Sequence, residues 1–299
     1  IGQSGNRSMG NTVTDPADDD AWPAPAKLNL FLHVTGQRAD GYHELQTVFQ
    51  FLSHGDRLWF DVDAKPGVTL SGGLTGLQPG EDLVERAARC LAASAGMDPA
   101  VHIRIDKCLP VGGGLGGGSS DAATTLVALN RLWRLDYDVD RLAELALGLG
   151  ADVPVFVRGM AAWAEGVGEQ LTPMPTLDQP WYLVVNPQVS VSTAAVFSDP
   201  GLTRNGPSLK IPAFVSGAGV NHLESVVVKQ YPEVGKALEW LSKHQSARMT
   251  GSGGCVFARC ADKQQAEVIL AELPAPWTGF VAQGRNLSPL QEKLAAFAE

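Results

Sequence analysis

The stretch that most constrains this chain is Leu109-Pro110-Val111-Gly112-Gly113-Gly114-Leu115-Gly116-Gly117-Gly118-Ser119-Ser120-Asp121-Ala122-Ala123. Six of its fifteen residues are glycine, so much of this backbone is free to take positive φ and to approach a ligand closely. Directly after it, Ala122, Leu126, Leu129 and Trp133 recur at helical spacing, and no proline intervenes until Pro154. The loop therefore feeds a helix N-terminus, where free N–H groups and the positive end of the dipole favour an anion. Ser119, Ser120 and Asp121 are capping types for such a start. The pattern predicts a phosphate-binding loop. It is not a Walker A motif, because no Gly-Lys-Ser/Thr closes it. It is a poor dinucleotide fingerprint too: the acidic residues that follow, Asp136, Asp138 and Asp140, sit in a polar turn after a helix rather than at the end of a second strand.

Composition narrows the function class. The 299 residues are 44% hydrophobic and 18% charged, which is globular and long enough for two domains. No uncharged apolar run reaches the length of a membrane span, and the polar N-terminus lacks the apolar segment of a secretory signal. Four cysteines, Cys90, Cys108, Cys255 and Cys260, are too scattered for a disulfide scaffold or a zinc site. A cytoplasmic location is expected. The net charge of −9 offers no basic surface for nucleic acid. An anionic small molecule needs only local donors, which the glycine loop and a few lysines supply.

Residues 1–20 are rich in Gly, Ser, Asn and Asp and are expected to form a disordered tail, with the residues before Met9 read as an expression scar. Residues 22–34 alternate as a strand, which puts Lys27 and Asn29 on one side. Residues 45–52 and 56–62 read as two further strands separated by Gly55. A helix is expected over 81–95, a strand over 101–105, the loop helix, then a helix over 140–149. Residues 155–157 and 160–164 read as strands. Three prolines between 173 and 180 mark a domain boundary, giving domains 21–174 and 175–299. In the second half, strands are expected at 181–185 and 278–283, a helical turn at 193–197, loop over 205–219, and helices over 224–229, 234–242, 263–272 and 290–297. A second glycine cluster, Gly251-Ser252-Gly253-Gly254, sits between strand-like segments. The fold class is α+β, two domains each an α/β sandwich.

Single residues are ambiguous alone. Lys27 is either a snorkelling strand residue or a charge aimed into a cleft. Asp152, in Gly150-Ala151-Asp152-Val153-Pro154, is either a helix cap or a base exposed after a glycine turn. Lys107 either neutralises phosphate or is solvated. His43, beside Tyr42, either binds a ligand or caps a turn. No HExxH or paired metal-ligand spacing occurs. Mg²⁺ would ask only for phosphate oxygens and one hydroxyl.

Taken together, residues 25–30 (Pro-Ala-Lys-Leu-Asn-Leu), 109–123 and 250–257 (Thr-Gly-Ser-Gly-Gly-Cys-Val-Phe) resemble the three motifs of the GHMP kinase superfamily, in order. Residues 35–45, 150–156 and 286–290 resemble the branch that acts on a cytidine diphosphate-linked methylerythritol. The resemblance runs from about Trp22 to Leu290. It implies the two-domain fold of that superfamily with the active site in the inter-domain cleft. It also implies ATP-dependent phosphorylation of the methylerythritol 2-hydroxyl, a step in non-mevalonate isoprenoid precursor synthesis. By that resemblance Asp152 is the base and Lys27 its partner. ATP is held by Lys107 and by Pro110, Val111, Gly112, Gly113, Gly114, Leu115, Gly116, Gly117, Gly118, Ser119 and Ser120. Asn29, Tyr42, His43, Thr193 and Phe197 hold the cytidylated substrate. The cofactors implied are ATP and Mg²⁺, and the protein is a monomer or homodimer. Asp121 departs from the asparagine found in some relatives and sets a carboxylate beside the phosphates. Two alternatives stand: a superfamily kinase for homoserine, a sugar or mevalonate, and an inactive nucleotide-binding protein.

Overall fold

The computed structural model describes residues 20–297 except 75, 77 and 79. The expected N-terminal tail, apart from Asp20, lies outside the described residues.

Two long strands form the backbone of the first half. β1 (Trp22–Gln37) pairs antiparallel with β2 (His43–Asp61). The two strands expected at 45–52 and 56–62 are one continuous strand. Gly55 makes this possible: a Cβ there would run into the Ala24 carbonyl of β1, so the missing side chain lets the partner backbone pass where a break was expected. β3 (Gly67–Gly72) runs parallel to β4 (Ala100–Asp106), which pairs antiparallel with β2. α1 (Leu83–Ser94) is capped by the Asp82 carboxylate, which accepts from Val84 N. α1 and α2 (Gly117–Leu132) pack on one face of this sheet, with α3 (Val139–Leu147) beside them. The core there gathers Phe51, Leu91, Ile103, Leu126, Leu129 and Phe156, all fully buried.

Residues 153–158 are a helix, α4 (Val153–Arg158), not the expected strand. Pro154 in its first turn favours helical φ, and Gly159 at φ 64° ends it. Its valines are buried because the whole turn is sunk in the core, which imitates a strand in sequence. β5 (Ala162–Glu165) follows and pairs with β2 and with β6 (Gln170–Pro173).

The second half adds β7 (Trp181–Asn186), α5 (Thr193–Ser198), α6 (Ile211–Val215), α7 (Glu224–Gln230) and α8 (Pro232–Ser242). It closes with β8 (Ala247–Met249), β9 (Val256–Cys260), α9 (Lys263–Ala271), β10 (Thr278–Arg285) and α10 (Pro289–Ala296). α6 lies in the segment expected to be loop; Pro212 starts it, and at five residues it carries no periodicity to detect.

One mixed sheet joins the halves, in the order β3-β4-β2-β10-β7-β9-β8, with β1, β5 and β6 attached through β2 and β5. The joint is the β10–β2 pairing at Gly284–Leu52 and Arg285–Phe51. Beside it, fully buried Gln50 accepts from Tyr182 Oη (2.9 Å) and donates to Asn286 Oδ1 (2.9 Å) and the Asp178 carbonyl (2.7 Å). The chain end returns to the first half. Leu290 sits in the first core, Ser288 N donates to Gly159 O (2.9 Å), and Gln291 Nε2 donates to Val157 O (2.8 Å). Conversely, Leu32 and Val34 of β1 belong to the second core. The four cysteines are free thiols. No helix among the described residues is long and apolar enough to cross a membrane.

Candidate active site

A cleft of about 1280 Å³ runs between the glycine loop, β1, the start of β2, α5 and the 250–254 turn. Three sequence segments far apart meet on its floor. Asn29 N donates to Thr250 Oγ1 (3.0 Å), and Thr250 Oγ1 reaches the Gly114 carbonyl (3.4 Å). Lys27 N donates to Leu115 O (2.9 Å). Strand and loop are thus joined backbone to backbone, and the Thr250 hydroxyl ties the turn to both.

The Lys27 side chain is buried at 3% exposure. Its Nζ donates to Asn29 Oδ1 (2.5 Å) and Gly114 O (3.0 Å), lies 3.5 Å from Asp152 Oδ2, and faces the Phe49 ring at 5.4 Å. The strand alternation that put Lys27 and Asn29 on one side is what the structure has. A buried ammonium needs such partners, because an unpaired charge there would be expelled. Asn29 is oriented by the same network: its Nδ2 donates to Thr47 Oγ1 (2.9 Å), which donates to Phe31 O (2.5 Å). Asp152 stands just ahead of α4 without capping it, its side chain 36% exposed to the cleft.

The glycine loop does run into a helix start, but Gly116 is the N-cap, at φ 75° with no side-chain cap. Ser119, Ser120 and Asp121 therefore sit inside the first turns rather than capping them. Positive φ falls on Gly112, Gly114 and Gly116. A Cβ on Gly116 would meet Phe156 Cζ at 2.8 Å and Lys27 Cε at 3.1 Å. Glycine is required here both for conformation and for room. Ser119 lines the cleft, whereas Ser120 is fully buried, is not on the cleft wall, and its Oγ has no partner.

Lys107 lies behind the loop. Its Nζ donates to Asp56 Oδ2 and to Asp121 Oδ2 (2.7 Å for the latter). Asp56 is buried and also accepts from Cys108 N (2.6 Å) and Leu109 N (2.8 Å). Burial pulls the Lys107 ammonium down in pKa, but the two carboxylates outweigh it and hold it above its ordinary value. Burial pushes the Asp121 carboxyl up to about 7, against the pull of Lys107 and with Asp56 adding to the rise. Asp121 Oδ1 has no partner. The Asp121 carboxylate is thus paired with Lys107.

At the other end of the cleft, Tyr42 is exposed and His43 half-buried. His43 lies 5.0 Å, ring to ring, from Phe197 on α5. Burial, then the Arg204 charge, lowers the His43 pKa. Thr193 and Ser252 share a hydroxyl–hydroxyl bond of 2.6 Å. Every predicted site residue except Ser120 lines this one cleft. The sequence reading missed Arg204, Ser252, Val167 and Gly168, which also line it. Only Ser252 carried a signal, in the second glycine cluster.

Known proteins resemble this chain over most of its length. Residues 82–160 match the GHMP kinases N terminal domain, and residues 202–279 match GHMP kinases C terminal. A 4-diphosphocytidyl-2-C-methyl-D-erythritol kinase of Shewanella denitrificans is 54% identical over 281 residues, covering 94% of this chain and 99% of its own. One of Pseudomonas aeruginosa is 56% identical over 272 residues, covering 91% and 96%. This chain belongs to the 4-diphosphocytidyl-2-C-methyl-D-erythritol kinase family. A crystal structure titled as 4-(cytidine 5'-diphospho)-2C-methyl-D-erythritol kinase superposes with TM-score 0.77 at 34% identity, covering 89% of this chain and 99% of that one. A mevalonate kinase structure at 13% identity and TM-score 0.63 shares the fold alone. The likeness to these 4-diphosphocytidyl-2-C-methyl-D-erythritol kinases covers 91–94% of this chain and so extends beyond the two matched domains.

Proposed function

We propose that this protein transfers the γ-phosphoryl group of ATP to the 2-hydroxyl of 4-diphosphocytidyl-2-C-methyl-D-erythritol in non-mevalonate isoprenoid precursor synthesis. The observation that carries the mechanism is the Lys27–Asp152 pair at 3.5 Å, set across from the Gly114 carbonyl and the α2 N-terminus. Phosphoryl transfer asks chiefly for positioning and charge neutralisation. The loop amides and the start of α2 receive the polyphosphate. Asp152 accepts the proton of the tertiary hydroxyl as its oxygen bonds to the γ-phosphorus. The bond from that phosphorus to the β–γ bridging oxygen breaks, and ADP leaves with the electron pair. Lys27 stands beside Asp152 and neutralises charge on the reacting oxygens.

Among the described residues no cluster of three His, Cys, Asp or Glu could hold a metal ion. Mg²⁺ brought by ATP keeps its waters and phosphate oxygens and asks little of the protein. The Ser119 hydroxyl on the cleft wall is the oxygen this chain offers it. When bound, the ion neutralises the phosphate oxygens.

His43, Phe197, Thr193, Asn29 and Tyr42 hold the cytidylated half, with Phe197 and Thr193 closing over the cytosine ring. The protein acts in the cytoplasm as a monomer or homodimer. ADP release measured with the cytidylated alcohol, mevalonate, homoserine and galactose in parallel tests the reading. Turnover restricted to the cytidylated alcohol is expected; turnover of another alcohol in its place overturns it.

A further inference from the structure

α5 is only six residues long, yet it carries both Thr193 and Phe197 into the cleft. A helix this short does not hold itself, since nucleation costs more than one turn returns. Its N-terminus is secured by Ser192, whose Oγ accepts from Ala195 N (3.3 Å). At its C-terminus the Asp199 N–H closes back on Val196 O (3.2 Å), and one side chain takes up the Phe197 carbonyl together with two carbonyls of the turn that follows. Arg204 Nη2 donates to Phe197 O (3.1 Å) and Asp199 O (2.8 Å), and Arg204 Nη1 donates to Leu202 O (3.3 Å). The same half-buried guanidinium faces the cleft.

We infer that Arg204 is a positioning residue for the nucleobase end of the cleft, fixing the end of α5 so that Phe197 stands opposite His43. The planar fork is what the task needs: two donors on one nitrogen span two carbonyls, and a second nitrogen holds the loop that follows. Lysine carries the charge but cannot hold that geometry. This inference rests on the reading that the cytosine packs against Phe197, beside His43.

The test uses the full chain and steady-state kinetics with both substrates. R204K and R204M are each expected to raise KM for the cytidylated alcohol at least fivefold, with KM for ATP shifting less than twofold. R204M alone removes the charge, so the His43 imidazole should titrate higher in R204M than in R204K by NMR. The double variant of R204K with Phe197→Ala should bind the cytidylated alcohol no worse than Phe197→Ala alone, because Arg204 acts through that ring. Wild-type KM in R204K overturns the inference, as does an equal rise for both substrates or an additive double variant. If Phe197→Ala itself leaves KM unchanged, the nucleobase reading fails instead. Should R204M not fold, R204K and the double variant still decide the matter.

Discussion

Lys27 Nζ and Asp152 Oδ2 are 3.5 Å apart, yet the ammonium is 3% exposed and the carboxylate 36%. The pair is lopsided: the cation is locked by Asn29 and Gly114, while the anion keeps an open face toward the cleft. A residue that accepts a proton from a bound alcohol needs such a face. Asp152→Asn should therefore lower kcat by about 10²–10⁴-fold, with KM for both substrates changing little. Single-turnover ADP formation checks this, and wild-type turnover would remove Asp152 from the chemistry.

Gly116→Val should raise KM for ATP about tenfold or more, because a β-branched residue at positive φ is strained and its Cβ would strike Phe156 and Lys27. KM for the cytidylated alcohol should move far less. Gly117→Val is the control: Gly117 is the first residue of α2, without positive φ, and its Cβ would meet Lys107 Nζ and Asp56 Oδ2 at 3.4 Å. If Gly117→Val weakens ATP more than Gly116→Val does, the conformational argument fails.

Asp121 gives a pH signature of stability. Its carboxyl titrates near 3.8 when exposed and is raised to about 7 by burial in the folded chain. Between those values the folded state keeps a proton that the unfolded chain has lost. Stability from this group is fully present below pH 4 and is lost as pH rises through 7. Asp121→Asn should abolish that slope, so its Tm relative to wild type should rise by about 2–4 °C between pH 5 and pH 8. A constant difference across that range would show that Asp121 does not titrate there.

Gln50→Leu tests the joint between the halves. It strips partners from Tyr182 Oη and Asn286 Oδ1 in a fully buried site, where each unsatisfied group costs about 1–3 kcal/mol. A fall in stability on the order of 2–4 kcal/mol is expected in urea melts. A loss below 0.5 kcal/mol, itself an order-of-magnitude threshold for ordinary surface changes, would mean that the network contributes nothing.

The legible parts of this fold share one property: their signal is local. The glycine loop, the alternation around Lys27 and Asn29, and the amphipathic α1 and α3 could all be read from neighbouring residues. α4 could not, because residues 153–157 are apolar without a break and a buried turn of helix has the composition of a strand. The fusion of two strands at Gly55 depended on how closely Ala24 approaches it, a contact across the hairpin. Arg204 escaped notice for the same reason. Its partners Phe197, Asp199 and Leu202 are carbonyls, and a backbone acceptor leaves no mark in sequence. The pairing of Lys107 with Asp56 and Asp121 joins positions 51 and 14 residues away, which no spacing rule anticipates.

Residues 288–291 brace the helix that follows Asp152, through Ser288 on Gly159, Gln291 on Val157 and Leu290 in the core beneath. Asp152 thus owes its footing to a segment of the second half that lies outside the cleft. Damage to that footing should reach turnover through the turn that carries Asp152, while every group that meets the substrates stays as it is.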